Sequence, residues 1–199
     1  MALPPFGVVL AAGGSTRLGQ PKPLVEVDGR SLVSIAVDQL NQSGCHPVYV
    51  VTRFDLSMTL MAEAQSALIV VNQRPELGRT RSLQLALKAA YSERGRWPRH
   101  AVVAPVDRPG WRPDIVHRLL ECPSSAAPQH QGRGGHPVTL DQEAMKAVVG
   151  APSDAPLKDI VRFERVQVHA PWLHLNIDTP EDLEHLVKNA TALMEYLAE

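Results

Sequence analysis

The sequence predicts an α/β fold built on a mostly parallel sheet. Short, unbroken apolar runs recur along the chain, such as residues 7–12 (GVVLAA), 48–52 (VYVVT) and 101–105 (AVVAP). Such runs suit strands buried on both faces. Between them lie segments with apolar residues at helical spacing, punctuated by glycine and proline. This alternation implies βαβ units.

The elements follow in order. The run at 7–12 ends in glycines and reads as the first strand. Residues 31–43 carry Leu32, Ile35, Ala36 and Leu40 on one helical face, and Gly44 closes the helix. The second strand is 48–52, a helix spans 55–65, and the third strand is 68–72. A strong helix at 81–91 leads to the fourth strand at 101–105. Residues 113–120 form a helix opened by Pro113, where the missing N–H costs nothing. The stretch 122–135 is polar and reads as loop with an edge strand. Short helices are expected at 143–149 and 157–163, and strands at 165–169 and 173–177. The closing helix, 180–197, is capped by Thr179 and opened by Pro180, with Glu181 and Asp182 complementing its dipole. The section from 129 to 169 breaks the alternation and is expected as a small appended lobe within a single domain, 1–199.

Bulk properties narrow the function. Hydrophobic residues make up 44% of the 199 and charged residues 21%, enough apolar material for a core. The net charge of -1 gives no general attraction to a nucleic-acid backbone. Two cysteines, Cys45 and Cys122, are too few for a disulfide framework and suit reduced thiols in a cytoplasmic protein. The opening segment, MALPPFGVVLAAGG, lacks a positive start and is interrupted by Pro4 and Pro5, so it reads as neither signal peptide nor membrane span.

The first strand runs into LAAGGSTRLGQPKP. Gly13 and Gly14 let the backbone approach a ligand, and successive N–H groups can form an anion-binding nest. Ser15 and Thr16 add hydroxyls, and Arg17 and Lys22 add two cations. Triphosphate best explains this combination. The pattern is neither a P-loop nor the dinucleotide fingerprint Gly-x-Gly-x-x-Gly. Asp107 follows the fourth strand and Asp178 the last one. Residues just past the carboxyl ends of parallel strands gather at one edge, so the two carboxylates can meet there and hold Mg²⁺ against phosphate oxygens. Taken alone, Asp107 could equally start a turn before Pro109, and Asp178 could serve only its helix. Arg79 and Arg81 begin a helix where an anion could dock, or face solvent.

With these residues in hand, LAAGGSTRLGQPKPL resembles the leader of the MobA-like NTP transferase family, LAAG-x-S-x-R-x-G-x-x-K. GRTRSLQLAL is similar to its Gly-x-x-x-Ser-Leu helix start. GRGGHPVTL is similar to the Gly-x-x-Gly-His-Pro-Val stretch of the molybdenum cofactor cytidylyltransferase branch, and NIDTPEDL resembles the family's ending. The resemblance implies a Rossmann-like three-layer α/β/α fold of the nucleotide-diphospho-sugar transferase type. It implies that Ala11, Ala12, Gly13, Gly14, Ser15, Asn72 and Ser82 bind the nucleotide. Arg17, Lys22 and Asp107 become the catalytic set, Asp107 and Asp178 the Mg²⁺ ligands, and His136 an acceptor-side residue. Ala12, where guanylyltransferases carry a second glycine, favours CTP over GTP. Two departures stand out: the string Pro105-Val106-Asp107-Arg108-Pro109 lacks the family's glycine before the aspartate, and PSDAPLKDI replaces a Gly-Asp-x-Gly-Ala-Arg segment.

The expected reaction is transfer of NMP from a nucleoside triphosphate, CTP favoured, to a phosphate-bearing small molecule, molybdopterin or its molybdenum cofactor, with no nucleic acid or membrane involved. The rivals are a sugar- or alditol-phosphate nucleotidyltransferase, a nucleotide-binding protein without transferase activity, and a dehydrogenase, against which the absent dinucleotide fingerprint argues.

Overall fold

A computed structural model describes residues 3–199; Met1 and Ala2 of the opening segment lie outside the described residues. The chain runs through β1 (Phe6–Leu10), a hairpin of β2 (Glu26–Val27) and β3 (Arg30–Ser31), and α1 (Leu32–Gln42). Then come β4 (Val48–Thr52), α2 (Ser57–Glu63), β5 (Leu68–Val71), α3 (Arg79–Arg94), β6 (His100–Pro105) and α4 (Pro113–Glu121). The second half holds β7 (Ala126–His130), β8 (Arg133–Gly134), β9 (Val138–Asp141), α5 (Gln142–Gly150), α6 (Leu157–Ile160) and β10 (Glu164–Gln167). It closes with α7 (Pro180–Lys188) and α8 (Ala190–Ala198).

The main sheet has the order β10-β7-β9-β6-β1-β4-β5, with β8 paired to β7. Strands β6, β1, β4 and β5 are parallel throughout, and β9 runs against both β6 and β7. The predicted α/β class with a mostly parallel sheet is therefore the fold observed. Alternate residues of β1 feed two cores. Phe6 and Val8 pack with Leu83, Leu87 and Met145 of α3 and α5, while Val9 packs with Leu32, Leu40 and Ile115 of α1 and α4. This two-faced burial explains why β1 reads as a continuous apolar run. Local chemistry sets the helix starts. The Ser31 hydroxyl accepts from Ser34 N at 3.3 Å, and Thr179 and Asp182 form a capping box with Pro180 in the first turn.

Four expectations change. Residues 122–135 hold two strands where one edge strand was expected: β7, interior between β10 and β9, and the short β8, paired to β7. The 129–169 section, expected as an appended lobe, contributes β9 and β10 to the main sheet. Residues 173–177 form turns, not a strand: Leu173 N and Leu175 N donate locally to Ala170 O and Trp172 O. The closing helix breaks at Asn189 into α7 and α8.

The turn after β6 packs tightly on those turns. Ile177 N donates to Asp107 O at 3.0 Å, and Gly110 presses on the Trp172 backbone. A Cβ on Gly110 would overlap the Trp172 carbonyl, its carbon only 2.6 Å away. Gly110→Ala should therefore cost about 3 kcal/mol and lower the melting temperature by roughly 5–10 °C. Calorimetry on the two proteins checks this, and an unchanged melt would mean that this junction yields easily.

Candidate active site

The carboxyl ends of β1 and β6 open into a cavity of about 230 Å³. Its wall is the loop 11–17 after β1, with Lys22, Arg79 and Ser82 on one side and Asp107 and Asp178 on the other. The loop folds back on itself: Lys22 N donates to Ser15 Oγ at 3.1 Å, and Ser15 takes a positive φ of 51°. Neither Gly13 nor Gly14 has a positive φ, and a Cβ on Gly13 would meet nothing within 4 Å. The fold itself thus sets no steric demand for glycine at position 13; an approaching ligand would.

At the centre sits the Lys22 ammonium. It donates to Asp107 Oδ2 at 3.1 Å and to Asp178 Oδ1 at 2.7 Å, and Arg17 reaches the other Asp178 oxygen at 2.5 Å. Asp107 and Lys22 are nearly covered, whereas the Arg17 side chain is 72% exposed. Lys22's hydrogen bond holds the Asp178 carboxyl below the usual carboxylate range, with the charges of Lys22 and Arg17 adding to it. Two carboxylates 71 residues apart in sequence therefore converge on one cation, Asp107 from the end of a strand as the sheet-edge argument requires and Asp178 from the turns that pack on it. Among the described residues no third metal-ligating side chain joins them. The donor set fits Mg²⁺ held by one or two carboxylates with the remaining oxygens supplied by substrate phosphates.

The other expected residues divide. Ala11, Ala12, Gly13, Gly14, Ser15 and Ser82 line the cavity. Asn72 stands behind it: buried, it donates from Nδ2 to Ser82 Oγ at 3.0 Å and accepts from Arg74 N at 2.9 Å. Its position makes it a support for Ser82. His136 lies in a neighbouring chamber of about 320 Å³, walled by Leu10, Leu83, Val103, Val138 and Leu157, with Arg79, Thr80 and Asp154 supplying the polar groups. The 152–157 segment closes this chamber, fixed where Thr80 Oγ1 donates to Ala155 O at 2.5 Å and Arg81 N to Ser153 O at 3.0 Å. Sequence reasoning did not single out this segment as a wall, and named Arg79 without placing it in the cavity.

These features define a cleft lined by cations and carboxylates at the carboxyl edge of the mostly parallel sheet, joined to an apolar chamber. The MobA-like NTP transferase domain model matches residues 7–171. The chain belongs to the MobA-like NTP transferase family, and with it to the nucleotidyltransferases. It is 33% identical over 189 residues to nicotine blue oxidoreductase of Paenarthrobacter nicotinovorans, covering 88% of this chain and 87% of that one. It is 35% identical over 103 residues to a probable molybdenum cofactor guanylyltransferase of Opitutus terrae, covering 52% of this chain and 48% of the relative. Among solved structures, Rv0371c of Mycobacterium tuberculosis superposes with a TM-score of 0.78 at 23% identity over 94% of this chain and 99% of its own. The same protein has been solved in complex with manganese. That likeness shows the shared fold.

Burial, then the nearby Arg108, push the His136 imidazole down to about 4 from its ordinary 6.5. Because the native pKa is depressed, the native protein resists the proton that the unfolded chain accepts. Stability is whole above about 6.5 and declines as pH falls from there toward 4. An NMR titration should find His136 neutral at pH 6, and Arg108→Gln should raise its midpoint. A midpoint near 6.5 in the native protein would contradict the enclosed setting.

Proposed function

We propose that this protein transfers CMP from CTP to a phosphate-bearing acceptor, molybdopterin or its molybdenum cofactor, with Mg²⁺ and release of pyrophosphate. The observation that carries the reading is the Lys22 ammonium shared by Asp107 and Asp178 at the rim of the glycine-loop cavity. Cations and open backbone N–H groups suit a triphosphate, and the paired carboxylates suit the metal that accompanies it. Ala12, buried in the cavity wall, supports a cytidine nucleotide through the resemblance described above.

An acceptor phosphate has a second pKa of about 6 and is already largely ionised at neutral pH, so no general base is needed. One of its oxygens forms a bond to the α-phosphorus as the bond to the departing pyrophosphate breaks, and that electron pair leaves with pyrophosphate. Arg17 and Lys22 offset charge building on the phosphates, and Ser15 and Ser82 orient them. Bound Mg²⁺ would supply Lewis-acid neutralisation at Asp107 and Asp178. His136, neutral and set in the apolar chamber, offers the acceptor a hydrogen bond without repelling or attracting charge.

A second reading is supported by one observation: the match to an oxidoreductase runs through 88% of the chain, against 52% for the guanylyltransferase. The cleft would then hold a dinucleotide's phosphates and the apolar chamber a reducible ring. The missing Gly-x-Gly-x-x-Gly fingerprint argues against it.

Thermal stabilisation by each nucleoside triphosphate with Mg²⁺, and by NADH and NADPH, separates the two. The transfer reading expects a Mg²⁺-dependent shift with CTP, pyrophosphate release with the acceptor, and a loss of about a hundredfold or more in turnover for Arg17→Ala and Asp107→Ala with the fold retained. Stabilisation by NADH or NADPH alone, with oxidation of either by a reducible aromatic, would transfer the weight to the second reading.

A further inference from the structure

The cleft's third cation, Arg79, differs from the other two. Arg17 and Lys22 are each engaged by Asp178 or Asp107, whereas Arg79 has no carboxylate partner among the described residues. It lines both the glycine-loop cavity and the His136 chamber, a double position that among the described residues only Leu10 and Pro105 share. Its charge acts on both Asp178, in the first cavity, and His136, in the second. Helix stability does not explain its presence. As the first residue of the 16-residue α3, after Gly78 at φ +98°, it sits in a first turn with no acidic residue and no side-chain cap. A cation there opposes the helix dipole.

We propose that Arg79 is the acceptor-phosphate ligand, receiving a phosphate monoester whose ring body occupies the chamber of Leu83, Val103, Val138 and Leu157, with Thr80, His136 and Asp154 as its polar groups. The inference rests on the transfer reading for its direction: with the nucleotide along the glycine loop, a second substrate entering from the chamber meets Arg79 before it meets the α-phosphorus. A guanidinium suits this task, because it grips phosphate in two-pronged fashion and keeps its charge at every working pH. The surrounding wall selects by shape and apolarity, so Arg79 determines that the acceptor carries a phosphate rather than a hydroxyl.

Binding, not turnover, tests this, with phenyl phosphate as the acceptor probe, benzyl alcohol as its uncharged counterpart, and the α,β-methylene analogue of CTP with Mg²⁺ as the nucleotide. Calorimetry on the wild type, Arg79→Gln and Arg79→Lys should show phenyl phosphate affinity falling roughly ten- to a hundredfold in Arg79→Gln and partly recovering in Arg79→Lys. Analogue affinity and benzyl alcohol binding should stay within about twofold. Arg79 is exposed and melting curves would confirm that the variants fold. The proposal falls if Arg79→Gln binds phenyl phosphate like the wild type, if the wild type does not bind it, or if the nucleotide analogue weakens as much as the probe. Failure of the wild type to bind the analogue, with Arg79-dependent phenyl phosphate binding intact, would instead remove the transfer reading and leave the phosphate site.

Discussion

One ammonium group holds the site's three pieces together. Lys22 comes from the loop after β1, Asp107 from the turn after β6, and Asp178 from the turns before α7, and they meet at 3.1 and 2.7 Å. The parallel sheet makes the meeting possible, because β1 and β6 are neighbours and end at the same edge. Asp178 arrives by another route: its neighbour Ile177 is hydrogen-bonded to the Asp107 backbone, and Gly110 lets the Trp172 segment lie flat against the same turn. The two carboxylates are thus tied through backbone as well as through Lys22. A cation so held is costly to desolvate alone and becomes tolerable because both partners are present.

The same triad accounts for the contrast between the two chambers. Around Lys22 the groups are charged and the wall is exposed backbone. Around His136 the wall is aliphatic, and the imidazole is held neutral by burial. A short boundary of Leu10, Arg79 and Pro105 separates them. Such adjacency brings an anionic group and an apolar body within reach of one another while each keeps a suitable surrounding.

The sequence made the charged half legible and the apolar half much less so. Gly13, Gly14, Arg17 and Lys22 lie on one loop, where local spacing carries the signal, and Thr179, Pro180 and Asp182 advertise a helix start. Asp107 was legible because strand ends in a parallel sheet have a common location, whereas Asp178 was paired with it on the expectation of a strand at 173–177 that the chain does not form. The His136 chamber is assembled from α3, β6, β9 and the 152–157 segment, and no local pattern announces such a convergence. Residues 173–177, LHLNI, alternate like a strand, yet their backbone groups are satisfied by turns and by Asp107, so tertiary bonding overrides the period. Strand β9 was missed because it follows a glycine-rich stretch and runs against its neighbours. The break at Asn189 has a similar origin: apolar spacing continues from α7 into α8, while Asn189 itself leaves helical geometry at φ -114° and ψ 13°.

Charge offers a further physical constraint on which chemistry the cleft serves. Arg17, Lys22 and Arg79 oppose Asp107 and Asp178, three cations against two carboxylates in one small cavity. On the proposed reading a polyphosphate on the glycine loop meets Arg17 and Lys22 while the acceptor's phosphate meets Arg79, and a divalent cation brought with the polyphosphate would engage the carboxylates that now hold Lys22, freeing that ammonium for the phosphates. Reduction of a neutral ring uses no such exchange of partners. The arrangement of Lys22 between two acids, beside the backbone N–H groups of the glycine loop, suits a charged phosphate substrate better than an uncharged one.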